Sequence, residues 1–300
     1  MAERYFFIHV GLPKTATTFM QNSIFKKSLE INYMNRKRVN DYFEKVVGVG
    51  LRKIFSLSPL IWNGPGREAL IQLIRRFGVS KSLVISDENF SVNADFFSFS
   101  GSLHIPDPYI VAAHMKSIDN IARDNGFAGV KVVISIRRQD TWLASRYVQS
   151  ADKISVFSQE DFERRVNNIF SCNKFAYSKK VWIDYEYLLD VFSWAVGPKN
   201  VHFFPMEKLS AHPVEFVGEL DSLFCARGSF VDMAKQEDFF AKKSTNSKGS
   251  STWSIMTPAG GEVFIELNED LRERLISEFR DSNMVFDKRL RLGLSSYGYY

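Results

Sequence analysis

Three clusters in the sequence carry residues able to do chemistry. The first is Val10-Gly11-Leu12-Pro13-Lys14-Thr15-Ala16-Thr17-Thr18, which follows an apolar run and opens an amphipathic one. A helix N-terminus offers unbonded N–H groups and the positive end of the helix dipole, so a loop placed there binds phosphate. Lys14 adds a compact cation, and Thr15, Thr17 and Thr18 add hydroxyl donors. The lysine stands before Thr-x-Thr-Thr, whereas nucleotide triphosphatases place it late, as G-x-x-x-x-G-K-[ST]. The plain alternative is an ordinary strand–turn–helix with a threonine cap. In the second cluster Arg137 follows Val132-Val133-Ile134-Ser135-Ile136, and Ser145 lies two turns into the next helix. A guanidinium and a hydroxyl so placed can converge on one phosphate. Asp140 competes, because it can cap that helix and pair with Arg137 or Arg138. The third cluster is Asp87-Glu88, two carboxylates at the end of Ser82-Leu83-Val84-Ile85-Ser86; a solvated cap on the following turn is its plain reading.

Positioning these groups takes strands and helices in alternation. Residues 5–10, 84–86, 130–136 and 201–204 are short continuous apolar runs, the pattern of strands buried on both faces. Amphipathic stretches at 17–27, 67–77, 109–123, 141–151 and 213–224 lie between them, and a last helix spans about 268–281. This predicts an α/β fold with a doubly wound parallel sheet, which binds ligands at the carboxyl ends of its strands. All three clusters fall at such ends. Residues 32–66 and 89–108 break the alternation and are expected to be insertions covering the strand ends, where an acceptor would enter. Residues 241–254, polar and basic, are expected to form a mobile loop. The ending Tyr297-Gly298-Tyr299-Tyr300 carries no readable signal.

Taken together, the first two clusters resemble the cofactor signatures of the sulfotransferases that use 3′-phosphoadenosine 5′-phosphosulfate (PAPS). Pro13-Lys14-Thr15-Ala16-Thr17-Thr18 is similar to the family's 5′-phosphosulfate loop, and Arg137 with Ser145 and Tyr147 to its 3′-phosphate element. The stretch from Ile136 to Tyr147, and more weakly Phe279-Arg280-Asp281-Ser282-Asn283, resembles a bacterial branch that sulfates sugars or lipids. The resemblance implies one sulfotransferase domain over 1–300 with a nucleotide-kinase-like (P-loop) sheet and helical insertions. It implies PAPS as donor, no metal, and transfer to a hydroxyl of a carbohydrate or glycolipid. Lys14 would stabilise charge growing on the leaving phosphate, and Pro13, Lys14, Thr15, Ala16, Thr17 and Thr18 would hold the 5′ end. Arg137 and Ser145 would hold the 3′-phosphate. A basic loop closing over that phosphate points to Lys248 and Gly249, with Lys242 and Lys243 nearby, although the family's Arg-Lys-Gly wording is absent. Glu88 is the implied base, with His104 as its alternative; His9, inside an apolar strand, reads as a packed core histidine.

Two other functions stay open at this stage. Asp87-Glu88 after an apolar strand also suits a metal-dependent kinase or ATPase, although the first loop lacks its Lys-[ST] pair. A non-catalytic nucleotide- or glycan-binding module on the same sheet is the other. Trp62, Phe96, Phe97, Phe99 and Trp142 could stack on a sugar or adenine, but suit a core as well. Arg164-Arg165 and Lys179-Lys180 read as solvated helix faces.

The bulk composition sets outer bounds. Of 300 residues 45% are hydrophobic and 24% charged, with 39 Lys and Arg against 34 Asp and Glu. That allows a sizeable core and argues against disorder. The mild positive excess suits a polyanionic ligand, an acidic glycan or a membrane surface; no recognition motif supports nucleic acid. Cys172 and Cys225 have no metal-ligand spacing, so a disulfide framework or zinc site is not expected. No apolar run reaches the length of a membrane span. The expectation is a cytoplasmic protein without a transmembrane segment, peripheral membrane contact left open.

Overall fold

The computed structural model describes residues 3–78, 80–90, 97, 107–170, 179–236, 239–240, 252–256 and 261–300. His104, Lys242, Lys243, Lys248, Gly249, Phe96 and Phe99 lie outside the described residues.

The central sheet has five parallel strands in the order β2 (Ile31–Asn35), β3 (Ser82–Ser86), β1 (Tyr5–His9), β4 (Gly129–Ile136), β5 (Val201–Pro205). Their register aligns His9 with Ser86 on one side and with Val133 on the other. Burial on both faces explains the continuous apolar runs. Phe6, Ile8, Val132 and Ile134 face one core, with the helices Pro65–Phe77, Pro108–Asp124, Tyr185–Val196 and Glu269–Leu290. Phe7 and Val133 face the other, with Met20, Ile24 and the helix Pro213–Phe224. Central β1 lies between β3 and β4, while the chain visits β2 and β3 before crossing to β4 and β5. The strand order therefore reverses beside β1, and the crevice past its carboxyl end is where such sheets bind ligands.

Several elements differ from expectation. Residues 32–66, read as an insertion, complete the edge strand β2 and form the helix Arg36–Val47. Only Ile31 and Met34 of β2 are buried, so its Asn and Tyr residues disguise it; Asn35 Oδ1 then caps the helix by accepting from Arg38 N–H at 3.0 Å. Residues 252–254, assigned to the loop, belong to an antiparallel hairpin of β6 (Thr252–Met256) and β7 (Glu262–Glu266). The last helix continues to Leu290. No helix among the described residues is long and apolar enough to cross a membrane.

Candidate active site

β1 delivers the loop of residues 10–16 to the reversal point. The loop leaves along β4, with Val10 N–H donating to Val133 O at 2.8 Å and Leu12 N–H to Ser135 O at 3.3 Å. Gly11 is there for space. A Cβ on it would sit 2.0 Å from Thr17 Cγ2, so no other residue allows helix and strand to approach this closely. Lys14 and Ala16 hold left-handed backbone, with φ of 67° and 61°. Each such non-glycine residue costs about 1–2 kcal/mol. Conformations of this kind persist where surrounding structure enforces them, often at functional sites. Left-handed Lys14 and Ala16 flank Thr15, whose φ is not positive, the backbone alternation from which anion nests are built. Ala16 precedes the helical turn Thr17–Phe19, which continues with wider π-type winding over Met20–Phe25.

The threonines have divided roles. Thr15 is buried and its hydroxyl donates to Leu12 O, which closes the loop on itself. Thr17 is buried too, and its Oγ1 donates to Glu88 Oε2 at 2.9 Å. Thr18 is exposed. Of the three hydroxyls that the resemblance assigns to a phosphate, two are bonded within the protein in this structure and Thr18 is the exposed one. The threonine cap is not formed, since the N-cap position is Ala16 and no side chain caps the turn.

The bond from Thr17 places Glu88, the first residue of a short turn after β3, beside the loop that follows β1. Asp87 is buried, 3.8 Å from Arg36 Nε, and is not the solvated cap of the plain reading. His9 is packed as expected, between the ends of three strands. Gln21 Nε2–H donates to Ser86 Oγ at 2.9 Å, and Ser86 Oγ lies 2.7 Å from His9 Nδ1. The Nε2–H of His9 then donates to Ser135 Oγ at 3.0 Å, and Ser135 to Met20 Sδ at 3.3 Å. This chain requires a neutral ring carrying its proton on Nε2. Burial pushes the imidazole down to about 3.

The second cluster stands at the end of β4 and on the helix Gln139–Gln149. Asp140 takes Arg138, not Arg137: Arg138 Nε and Nη2 donate to its two oxygens at 2.7 and 2.8 Å. Arg137 Nε donates to Thr141 Oγ1 at 3.1 Å, and no carboxylate among the described residues pairs with its guanidinium. Ser145 is half-exposed one turn beyond Thr141, so Thr141 and Ser145 form a polar stripe on the helix, which Arg137, just before the helix, joins through its bond to Thr141. Tyr147 departs from the resemblance. It is fully buried, donates to Asp161 Oδ2 at 2.9 Å, and stacks on Phe157. Arg165, expected in solvent, is buried against the same Asp161 and the main chain of Phe97, and Lys179 is buried as well.

Two residues on this helix join the clusters. Trp142 Nε1–H donates to Pro13 O at 2.7 Å. Arg146, one turn further along the same face, is buried, and its charge acts on Lys14. The Lys14 amine is lowered first by burial and then by Arg146; Glu88 opposes and Arg137 adds. Lys14, Arg146, Arg137 and Glu88 thus share one neighbourhood. The sequence reading gave no role to Arg146 or Thr141 and left Trp142 between stacking on a ligand and packing in the core; the i, i+4 spacing of Trp142 and Arg146 was the available signal.

No protein-family model matches the sequence, and no curated protein is similar to it. Two solved structures align over nearly the whole chain. One is a sulfotransferase from Alicyclobacillus acidocaldarius, 14% identical over 99% of each chain with a TM-score of 0.49. The other is the sulfotransferase domain from the curacin biosynthetic pathway, 9% identical over 97% of this chain and 98% of that one, with a TM-score of 0.38. At that distance they carry no activity over to this chain.

Proposed function

We propose that this protein is a sulfotransferase that uses PAPS and sulfates a hydroxyl of a carbohydrate or glycolipid. The observation that carries the reading is the joining of two anion-binding elements. The nest at residues 13–18 and the stripe Arg137–Thr141–Ser145 are fixed to one another by the Trp142–Pro13 bond. A nucleotide with phosphates at both ends of its ribose fits that pairing better than a single phosphate does.

PAPS would supply a phosphosulfate: the acceptor oxygen bonds to sulfur, the bridging S–O bond breaks, and its electron pair leaves on the 5′-phosphate of adenosine 3′,5′-bisphosphate. Each chain residue has a part in that change. Main-chain N–H groups of residues 14–18 and the Thr18 hydroxyl would hold the 5′-phosphate. Lys14 would meet the charge that develops there, with the field of Arg146 behind it. Arg137 and Ser145 would hold the 3′-phosphate. Glu88, oriented by Thr17, would take the proton of the acceptor hydroxyl.

The test is sulfate transfer from PAPS to a panel of glycans and glycolipids, with Glu88→Gln beside the wild type. Turnover should vanish in the variant while adenosine 3′,5′-bisphosphate still binds. Near-normal transfer by Glu88→Gln would remove that residue from the mechanism. Transfer from ATP that stops in chelator would replace the whole reading with a metal-dependent kinase or ATPase.

A further inference from the structure

The C-terminal residues, silent in the sequence, are built into the Arg137 element. Tyr299 is fully buried and its hydroxyl donates to Glu207 Oε2 at 2.8 Å. The other oxygen of Glu207 accepts from Arg138 N–H at 2.9 Å. Tyr185 donates its hydroxyl to the main-chain oxygen of Arg137, and its ring lies 6.3 Å from that of Tyr299. Asn283, bonded to Gln139 on the same helix as Ser145, donates to Tyr299 O at 3.0 Å. Gly298, at φ +74°, holds a backbone conformation that favours glycine, and a Cβ there would lie 2.9 Å from Arg138 Nη1. The peptide of Arg137-Arg138 is therefore held at its oxygen by Tyr185 and at its N–H by Glu207.

We propose that Tyr299 and Glu207 are positioning residues for Arg137, so that the end of this chain sets how well the 3′-phosphate of the donor is gripped. The inference rests on the PAPS reading above. Its physical basis is that a bidentate guanidinium contact depends on angle as well as charge. Arg137 stands between β4 and the helix Gln139–Gln149, with Thr141 of that helix as its side-chain partner, so its direction depends on the peptide that carries it as well as on that bond. Glu207 suits this role because its carboxylate is enclosed: burial pushes it up, and the Arg138 N–H, its own N–H, the Tyr299 hydroxyl and the charge of Arg137 pull it down. Removing the Tyr299 hydroxyl leaves one oxygen of a buried carboxylate without its donor, and the Arg138 N–H contact loosens with it.

The experiment compares two probes, adenosine 3′,5′-bisphosphate and adenosine 5′-monophosphate, by calorimetry on the full chain. The readout is the ratio of the two affinities, which a general loss of structure would not change selectively. Wild type should prefer the bisphosphate. Tyr299→Phe and Glu207→Ala should each cut that preference by about tenfold, the scale of one hydrogen bond to a charged group, while monophosphate binding holds within about twofold. Glu207→Gln, which keeps an oxygen for Arg138 N–H, should retain the preference. If Tyr299→Phe fails to fold, the Glu207→Ala and Glu207→Gln pair decides. An unchanged ratio in folded Tyr299→Phe and Glu207→Ala overturns the inference and leaves the PAPS reading standing. A wild type without any preference overturns both.

Discussion

Trp142 and Pro13 stand 129 residues apart and meet through one buried hydrogen bond, indole Nε1–H to main-chain oxygen, at 2.7 Å. It ties the helix after β4 to the loop after β1, and with them the two elements proposed to hold the donor's phosphates. Trp142→Phe keeps most of the packing and strands the Pro13 oxygen. The expected cost is about 1–3 kcal/mol of stability, the price of an unsatisfied buried acceptor. Urea unfolding would measure it. Adenosine 3′,5′-bisphosphate should also bind more weakly, because the loop and the arginine lose their common reference.

Thr17 links the loop to Glu88 in the same way. Thr17→Val preserves shape, and with it the close contact to Gly11, but removes the donor. Turnover should fall by about tenfold, the worth of roughly 1.4 kcal/mol at the transition state, while bisphosphate affinity changes little. Steady-state kinetics beside calorimetry separate the two effects; equal losses in both would make Thr17 a loop residue without influence on Glu88.

Arg146 is expected to show itself through Lys14. Its charge lowers the Lys14 amine, so Arg146→Gln should raise the titration midpoint of that amine, and Arg146→Lys should raise it less. Heteronuclear NMR of isotope-labelled lysine, on protein without ligand, follows the Lys14 resonance directly. A midpoint indifferent to both substitutions would place Arg146 outside the electrostatics of the loop.

The core histidines predict how stability responds to acid. Burial holds His9 down to about 3, and His114 and His202 to about 4, against an ordinary value of 6.5. Below pH 6.5 the unfolded chain takes up protons that the folded chain refuses. Stability from these groups is therefore complete above 6.5 and is lost as pH falls toward 4 and then 3. Each contributes a slope of up to about 1.4 kcal/mol per pH unit in that window. His9→Gln should unfold with a shallower dependence than wild type between pH 7 and 5, whatever its stability at pH 7.

The legible parts of the fold were those with both faces buried. β1, β3, β4 and β5 appear in the sequence because nearly all of their positions are buried and most are apolar; β2, at the edge with two buried residues, does not. The site divides similarly. Lys14, Arg137 and Glu88 stand next to strand ends and could be found locally. Arg146, Glu207 and Tyr299 interact with residues far away in the sequence, and a lone Arg, Glu or Tyr carries no local mark of such a partner. The threonines of the loop and Tyr147 show the converse, since residue type alone does not say which way a hydroxyl points.

The most direct measurement is the calorimetric titration of adenosine 3′,5′-bisphosphate into the wild type and into Lys14→Met and Arg137→Met. The account predicts binding to the wild type without added metal, weakened by at least about tenfold in each variant, the loss expected when a charge-assisted contact to a phosphate is removed. Binding that neither substitution disturbs, or no binding by the folded wild type, would contradict it.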